Sequence, residues 1–96
     1  MKATSGILMV ALAFWPGVAF AADAPPGAVA CSGCHATNPA AETPVPKIHG
    51  RNADETVALM TQFRDGTKPS TVMGRLAKGF SDEETRAIAA WLASQR

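Results

Sequence analysis

The sequence predicts an all-α domain of about three to four helices, and three observations carry that prediction. Apolar residues recur at three- and four-residue spacing in two segments, each opened by a side chain suited to capping a helix. No stretch alternates apolar and polar residues as a half-buried strand would. Prolines and glycines fall between the periodic segments and not inside them.

Taken in order, the chain begins with a segment that does not belong to the domain. Lys2 gives a positive start, residues 7–15 form an apolar run, and Pro16-Gly17 breaks it. Ala19-Phe20-Ala21 reads as a small-x-small cleavage site, so residues 1–21 are expected to be a secretory signal peptide. The run is shorter than the roughly 20 residues a membrane-spanning helix needs, so no anchor is expected after cleavage and the protein is expected in the periplasm. Residues 22–96 then make one domain of about 75 residues.

Residues 22–27 read as a flexible terminus. Residues 28–34 are compatible with a helix and lead into Cys31-Ser32-Gly33-Cys34-His35. Pro39, Pro44 and Pro46 forbid a helix over residues 36–50, which reads as an ordered surface loop. Asn52 then caps a helix with Asp54 and Glu55 in its first turn, where the helix dipole favours negative charge. Val57, Met60 and Phe63, widened by Ala58 and Leu59, form its apolar face, and Asp65-Gly66 ends it. Residues 67–80 read as a second loop, with Pro69, Gly74 and Gly79. Ser81-Asp82-Glu83-Glu84 is a capping box, and the helix behind it carries Ala87, Ile88, Trp91 and Leu92 as its buried stripe.

Charge excludes one class of function. Without Lys2 the chain has eight basic and eight acidic side chains, not the basic stripe of a nucleic-acid binder. Size makes a demand. A core built from about 75 residues rarely stabilises itself without a staple. The two cysteines lie three residues apart, and a disulfide between them would constrain little of the unfolded chain.

The staple is legible in Cys31-Ser32-Gly33-Cys34-His35, the attachment signature of haem c. Two thiols at this spacing can each bond one of the two vinyl groups of a porphyrin, and the next residue, His35, then presents its imidazole to the iron. Ser32 and Gly33 are small enough for the porphyrin edge to approach the backbone. A thioredoxin-like pair would expect a βαβ setting, and a zinc site would need four ligands where only His49 remains to be added. The second axial ligand comes from Met60, Met73 or His49. Met60 lies on a helix's apolar face, where methionine fills the core. His49 lies between Lys47 and Arg51, a polar setting that favours an exposed ring, with bis-histidine ligation as the alternative. Met73 sits in a loop able to drape over the far face of the haem, and its thioether would raise the reduction potential relative to a second imidazole.

The whole of residues 22–96 resembles the class I cytochromes c, with the haem motif near the start, a methionine in a late loop and a closing amphipathic helix. Pro46-Lys47-Ile48-His49-Gly50 looks like that family's Pro-x-Leu-x-Gly element. The resemblance implies that the Pro46 carbonyl accepts the Nδ1 proton of His35, that Ile48 packs on the haem, and that Gly50 allows the close turn. A narrower likeness covers about a third of the domain. Phe63-Arg64-Asp65-Gly66-Thr67-Lys68-Pro69-Ser70 and Thr71-Val72-Met73-Gly74-Arg75-Leu76-Ala77-Lys78-Gly79-Phe80-Ser81-Asp82-Glu83-Glu84 are similar to the cytochrome subunits of flavocytochrome c sulfide dehydrogenases. Some members of that group carry two haem domains; this chain has one motif and would be a single-haem version.

That likeness implies a flavoprotein partner whose FAD takes electrons from sulfide, and a soluble acceptor beyond the haem. No acid–base pair or second cysteine pair in this chain offers chemistry on sulfur, so it is not expected to be an enzyme on its own. Two alternatives stay open: a free-standing periplasmic carrier serving an oxidase or reductase, and a haem enzyme or ligand-binding protein with an open sixth position. Phe63, Leu76, Phe80, Ile88 and Trp91 are expected to wall the porphyrin. Arg75 and Lys78, flanking Met73, are candidates for a haem propionate or for docking.

Overall fold

Three α-helices follow a single 3-10 turn along the chain, and among the described residues there is no strand. The structure, a computed structural model, describes Ala3, Gly6, Ala11 and residues 23–95. The expected signal peptide, apart from those three positions, lies outside the described residues.

The 3-10 helix Val29–Gly33 occupies the segment compatible with a helix, in the tighter winding suited to short pieces. Helix α1 runs Ala53–Asp65. Its N-cap is Asn52, whose Oδ1 accepts the Glu55 amide at 3.2 Å, and Asp54 and Glu55 complement the dipole. It ends at Gly66, which turns into the left-handed region at φ 77°. Helix α3 runs Asp82–Ser94 behind the expected capping box: Ser81 Oγ accepts the Glu84 amide at 3.1 Å and the Ser81 amide donates to Glu84 Oε1 at 3.0 Å.

Residues 67–80 are not a plain loop. They contain a short helix, α2, Met73–Ala77, with the Gly74 amide donating to Ser70 Oγ at 2.8 Å. Met-Gly-Arg-Leu-Ala is too short and too weakly patterned to stand out in the sequence, and its position against α1 supplies what periodicity did not. Helix α1 lies against both α2 and α3. Arg64 Nη1 and Asp82 Oδ1 pair at 2.6 Å between α1 and the start of α3.

The core is thin. Ala28, Ile88 and Leu92 form its buried centre, with Ala24, Cys31, Ile48, Phe80 and Trp91 packed against it. Among the described residues Leu92 is the one large side chain fully buried. Ala24 and the close approach of Gly27 to the Phe80 ring bring the supposedly flexible terminus onto this centre. The buried stripe of α3 is Thr85, Ile88, Ala89 and Leu92; Ala87 is exposed and Trp91 half-buried. On α1 it is Thr56 that is buried, while Ala58 is exposed and Val57, Leu59, Met60 and Phe63 are half-buried. The buried Thr56 hydroxyl has no hydrogen-bond partner.

Two predictions follow from the caps. Ser81→Ala removes the hydroxyl that closes the box and should cost about 1 kcal/mol, read as a lower urea midpoint with unchanged slope. Bonding to the Ser81 amide and hydroxyl holds the Glu84 carboxyl below its usual range, and Arg64 does the same for Asp82. Their stabilisation is therefore present above the ordinary carboxylate pKa and is lost as pH falls through the lowered values. Removing one of these titrations, in Glu84→Gln, should flatten the acid limb of a melting-temperature profile; an unchanged limb would contradict it.

Candidate functional site

The haem motif is drawn into one tight turn by its own backbone. The Cys31 carbonyl accepts both the Cys34 amide at 3.2 Å and the His35 amide at 2.9 Å. Cys31, Cys34 and His35 therefore leave a single bent turn. Neither cysteine is bonded in a disulfide: Cys31 is half-buried against the core and Cys34 is exposed. Burial pushes the Cys31 thiol up from its ordinary value, and its Sγ reaches the Gly27 carbonyl at 3.7 Å.

His35 Nδ1 meets the Pro46 carbonyl oxygen. A carbonyl only accepts, so Nδ1 carries the ring proton and donates it. In the Nδ1–H tautomer the lone pair is at Nε2, the form in which histidine binds a metal. The contact that the resemblance implied is present.

The loop that supplies Pro46 is ordered by its own polar groups. Asn38 Oδ1 accepts the Ala40 amide at 2.9 Å, Thr43 Oγ1 accepts the Val45 amide at 3.3 Å, and Lys47 Nζ donates to the Pro39 carbonyl. These are Asx- and hydroxyl-type turns, the expected device in a proline-broken segment. Two residues on, Ile48 packs against the core cluster. The Gly50 amide then donates to the Leu92 carbonyl at 2.8 Å, near the end of α3. Gly50 has φ 80°, and a Cβ there would stand 3.0 Å from the Gln95 carbonyl oxygen. Both facts require glycine. The anchor onto α3 is the contribution that sequence reading missed, since glycine there signals a turn but not its partner.

His49 is half-buried, not exposed as its basic neighbours suggested. Its ring stands edge-on to Trp91, centroids 6.4 Å apart at 72°, and its Nδ1 is buried without a hydrogen-bond partner. Met73 opens α2 and is half-buried. The structure thus brings Cys31, Ile48, Phe80 and Trp91 onto one cluster and joins His35 to Pro46. Met73 comes from a separate element and is not among the side chains packed on that cluster. Leu76, expected to wall the porphyrin, is 48% exposed. It lies about 100° round α2 from its neighbour in sequence, buried Ala77.

These residues fit a covalent haem. Two free thiols leave one turn, an imidazole has its proton committed away from Nε2, and half-buried apolar side chains surround a core too small to cover them. Among the described residues no group of three His, Cys, Asp or Glu side chains could hold a metal ion by itself. No described helix is long and apolar enough to cross a membrane.

No protein-family model matches the chain. Curated relatives do. The chain is 38% identical over 61 residues to the cytochrome subunit of sulfide dehydrogenase from Chlorobaculum tepidum, covering 64% of this chain and 56% of that protein. It is 30% identical over 95 residues to the thiosulfate dehydrogenase electron acceptor of Thiomonas intermedia, covering 95% of this chain and 43% of the relative. Cytochrome c4 of Azotobacter vinelandii is 29% identical over 72 residues, covering 69% of this chain and 34% of the relative. The chain spans about half or less of the length of these relatives.

Gly50→Ala should cost about 1–2 kcal/mol, since the left-handed backbone carries that penalty for a residue with a Cβ. Thermal or urea unfolding checks it, and an unperturbed midpoint would show that the anchor on α3 is dispensable.

Proposed function

The chain belongs to the class I c-type cytochromes, and from that premise we propose that it carries single electrons on one covalent haem c in the periplasm. Cys31 and Cys34 would hold the porphyrin through thioether bonds. His35 Nε2 and Met73 Sδ would hold the iron, and Ile48 would pack on the ring. The observation that carries this reading is the His35–Pro46 contact beside two free thiols.

When bound, haem c supplies a ferric–ferrous couple that changes by one electron. The protein's own residues do the rest. The Pro46 carbonyl holds the His35 proton at Nδ1, which fixes the ring's tautomer and orientation and raises the basicity of Nε2. A thioether from Met73 favours the ferrous state and sets the potential higher than a second histidine would. Phe80 and Trp91 exclude water from the core side of the site.

The electron donor we propose is a flavoprotein that oxidises sulfide. The relative from Chlorobaculum tepidum is named as the cytochrome subunit of sulfide dehydrogenase, and the methionine segment of this chain resembles the cytochrome subunits of flavocytochrome c sulfide dehydrogenases. A second reading, a carrier that accepts electrons from another dehydrogenase, is favoured by the Thiomonas intermedia relative, aligned over 95% of this chain and named as an electron acceptor. The chain's partial coverage of both relatives makes the donor a matter for experiment. Reduction of the purified haem protein on mixing with the flavoprotein and sulfide supports the first. Reduction only with a thiosulfate-oxidising dehydrogenase supports the second.

Intact mass of the exported protein should include one haem that stays attached in acidified acetone, and cleavage after Ala21. Met73→Ala should abolish the long-wavelength ferric charge-transfer band of methionine–iron ligation and open the ferrous iron to carbon monoxide. Met73→His should restore six-coordination and lower the potential by a few tenths of a volt, within the span of about 0.8 V that axial ligands command. A native protein that already binds carbon monoxide rapidly would instead identify an open-site haem protein.

A further inference from the structure

Met73, the proposed ligand of the iron, sits in the middle of a segment whose two ends are joined by an ion pair. Arg64 Nη1 and Asp82 Oδ1 meet at 2.6 Å, the one ion pair among the described residues. Arg64 is in the last turn of α1 and Asp82 is the first residue of α3, 18 positions further along the chain. Met73 lies midway between them in sequence. The pair therefore closes the stretch of chain that presents the thioether.

The first half of that segment is tied to the end of α1 by hydrogen bonds. The Gln62 carbonyl accepts the Lys68 amide at 3.2 Å and the Thr67 hydroxyl at 3.3 Å. The Gly74 amide donates to Ser70 Oγ at 2.8 Å, and a Cβ on Gly74 would stand 3.1 Å from that oxygen and 3.5 Å from the Phe63 carbonyl oxygen. The residue after Met73 thus lies close against α1. The second half returns across a junction that is not packed solid. A cavity of about 230 Å³ opens there between Val57 and Met60 of α1, Ala77 of α2 and Thr85 of α3, with Arg64 and Asp82 also in its wall. Space left unfilled forfeits dispersion contacts between the helices. The Arg64–Asp82 bond, charge-assisted and short, spans the same junction and links what packing there does not.

We infer that Arg64 and Asp82 are positioning residues for Met73: by pinning the end of α1 to the start of α3 they keep the segment between them closed, and so keep the thioether on the iron. The inference rests on the reading of Met73 as an axial ligand. Release of Met73 requires residues 65–81 to open locally, and the pair adds to the cost of that opening. Exposure sets the size of the effect. The two side chains are 32% and 63% exposed, so the pair is worth only a few-fold in an equilibrium and is screened by salt. That is little against global unfolding but acts directly on the balance between bound and released methionine. Arg86, one turn along α3 from Asp82, lines the same cavity and cannot replace Arg64, since a pair within α3 pins nothing to α1.

The test uses the haem-loaded ferric protein and imidazole, added as the neutral base, which reaches the iron on the methionine side only when Met73 has left it. Arg64→Gln and Asp82→Asn should each raise the affinity for imidazole about two- to fivefold. The double variant should match either single one, because both changes remove the same contact. Arg64→Lys keeps the charge and should bring the affinity back toward the native value. Glu83→Gln removes a neighbouring acid from the same turn of α3 and should leave imidazole affinity unchanged, which separates methionine retention from a general loss of helix stability. In about 1 M salt, where the screening length is about 3 Å, native and variant affinities should converge. Hydrogen exchange at the Gly74 and Leu76 amides should quicken by the same factor, and it reads opening of the segment whether or not Met73 binds the iron. Additive effects in the double variant, an equal effect of Glu83→Gln, or native exchange rates in Arg64→Gln and Asp82→Asn would overturn the inference. A native protein without the methionine–iron band fails the axial reading of Met73, and amide exchange then decides by itself whether the pair clamps the segment. A native protein with the band, whose variants bind imidazole as it does, fails the clamp alone.

Discussion

A chain this short must find its stability in something larger than its own interior. With Leu92 as the one large side chain fully buried among the described residues, apolar burial within the polypeptide is small against the entropy of ordering more than seventy residues. The half-buried set of Cys31, Ile48, Phe80 and Trp91 is the signature of that shortage. These side chains pack against the buried centre and keep part of their apolar surface uncovered. A porphyrin tied to Cys31 and Cys34, as proposed, would have the area and the shape to cover it. Covalent attachment would also remove the cost of holding a cofactor by packing alone.

The same constraint explains why backbone groups organise the site. Side chains short of packing cannot hold an imidazole to a fraction of an ångström, but a hydrogen-bonded backbone can. His35 leaves a turn closed on the Cys31 carbonyl, and its ring is held by the Pro46 carbonyl. The segment behind Pro46 is in turn tied to the end of α3 through the Gly50 amide. The histidine's orientation is thereby coupled to the position of the C-terminal helix through backbone carbonyls and an amide, with glycine where the chain comes too close to the Gln95 carbonyl for a Cβ.

How much of this could be read beforehand depended on how local the determinant was. Asn52, Ser81, Glu84 and Gly66 act within four residues of themselves, and both long helices stand where these signals placed them. The prolines of residues 36–50 were equally local, and no helix forms there. Long-range determinants were not legible. Helix α2 owes its winding to contact with α1, and nothing in Met-Gly-Arg-Leu-Ala announces that contact. The buried stripe of α3 misled at Ala87, because alanine is compatible with either side of a helix, and Thr85 and Ala89 are buried instead. His49 misled for a related reason: Lys47 and Arg51 describe its neighbours in sequence, while Trp91, distant in sequence, decides its burial.

The distribution of charge completes the physical picture. Helix dipoles ask for carboxylates at the starts of α1 and α3, and those demands absorb five of the chain's acids for reasons of stability alone. The segment between the two helices is left basic as a consequence, since a nearly neutral chain that spends its acids on caps must show its cations elsewhere. That segment is also the one that presents Met73. Helix capping, an entirely local economy, thus places a positive, partly apolar face beside the proposed ligand of the iron.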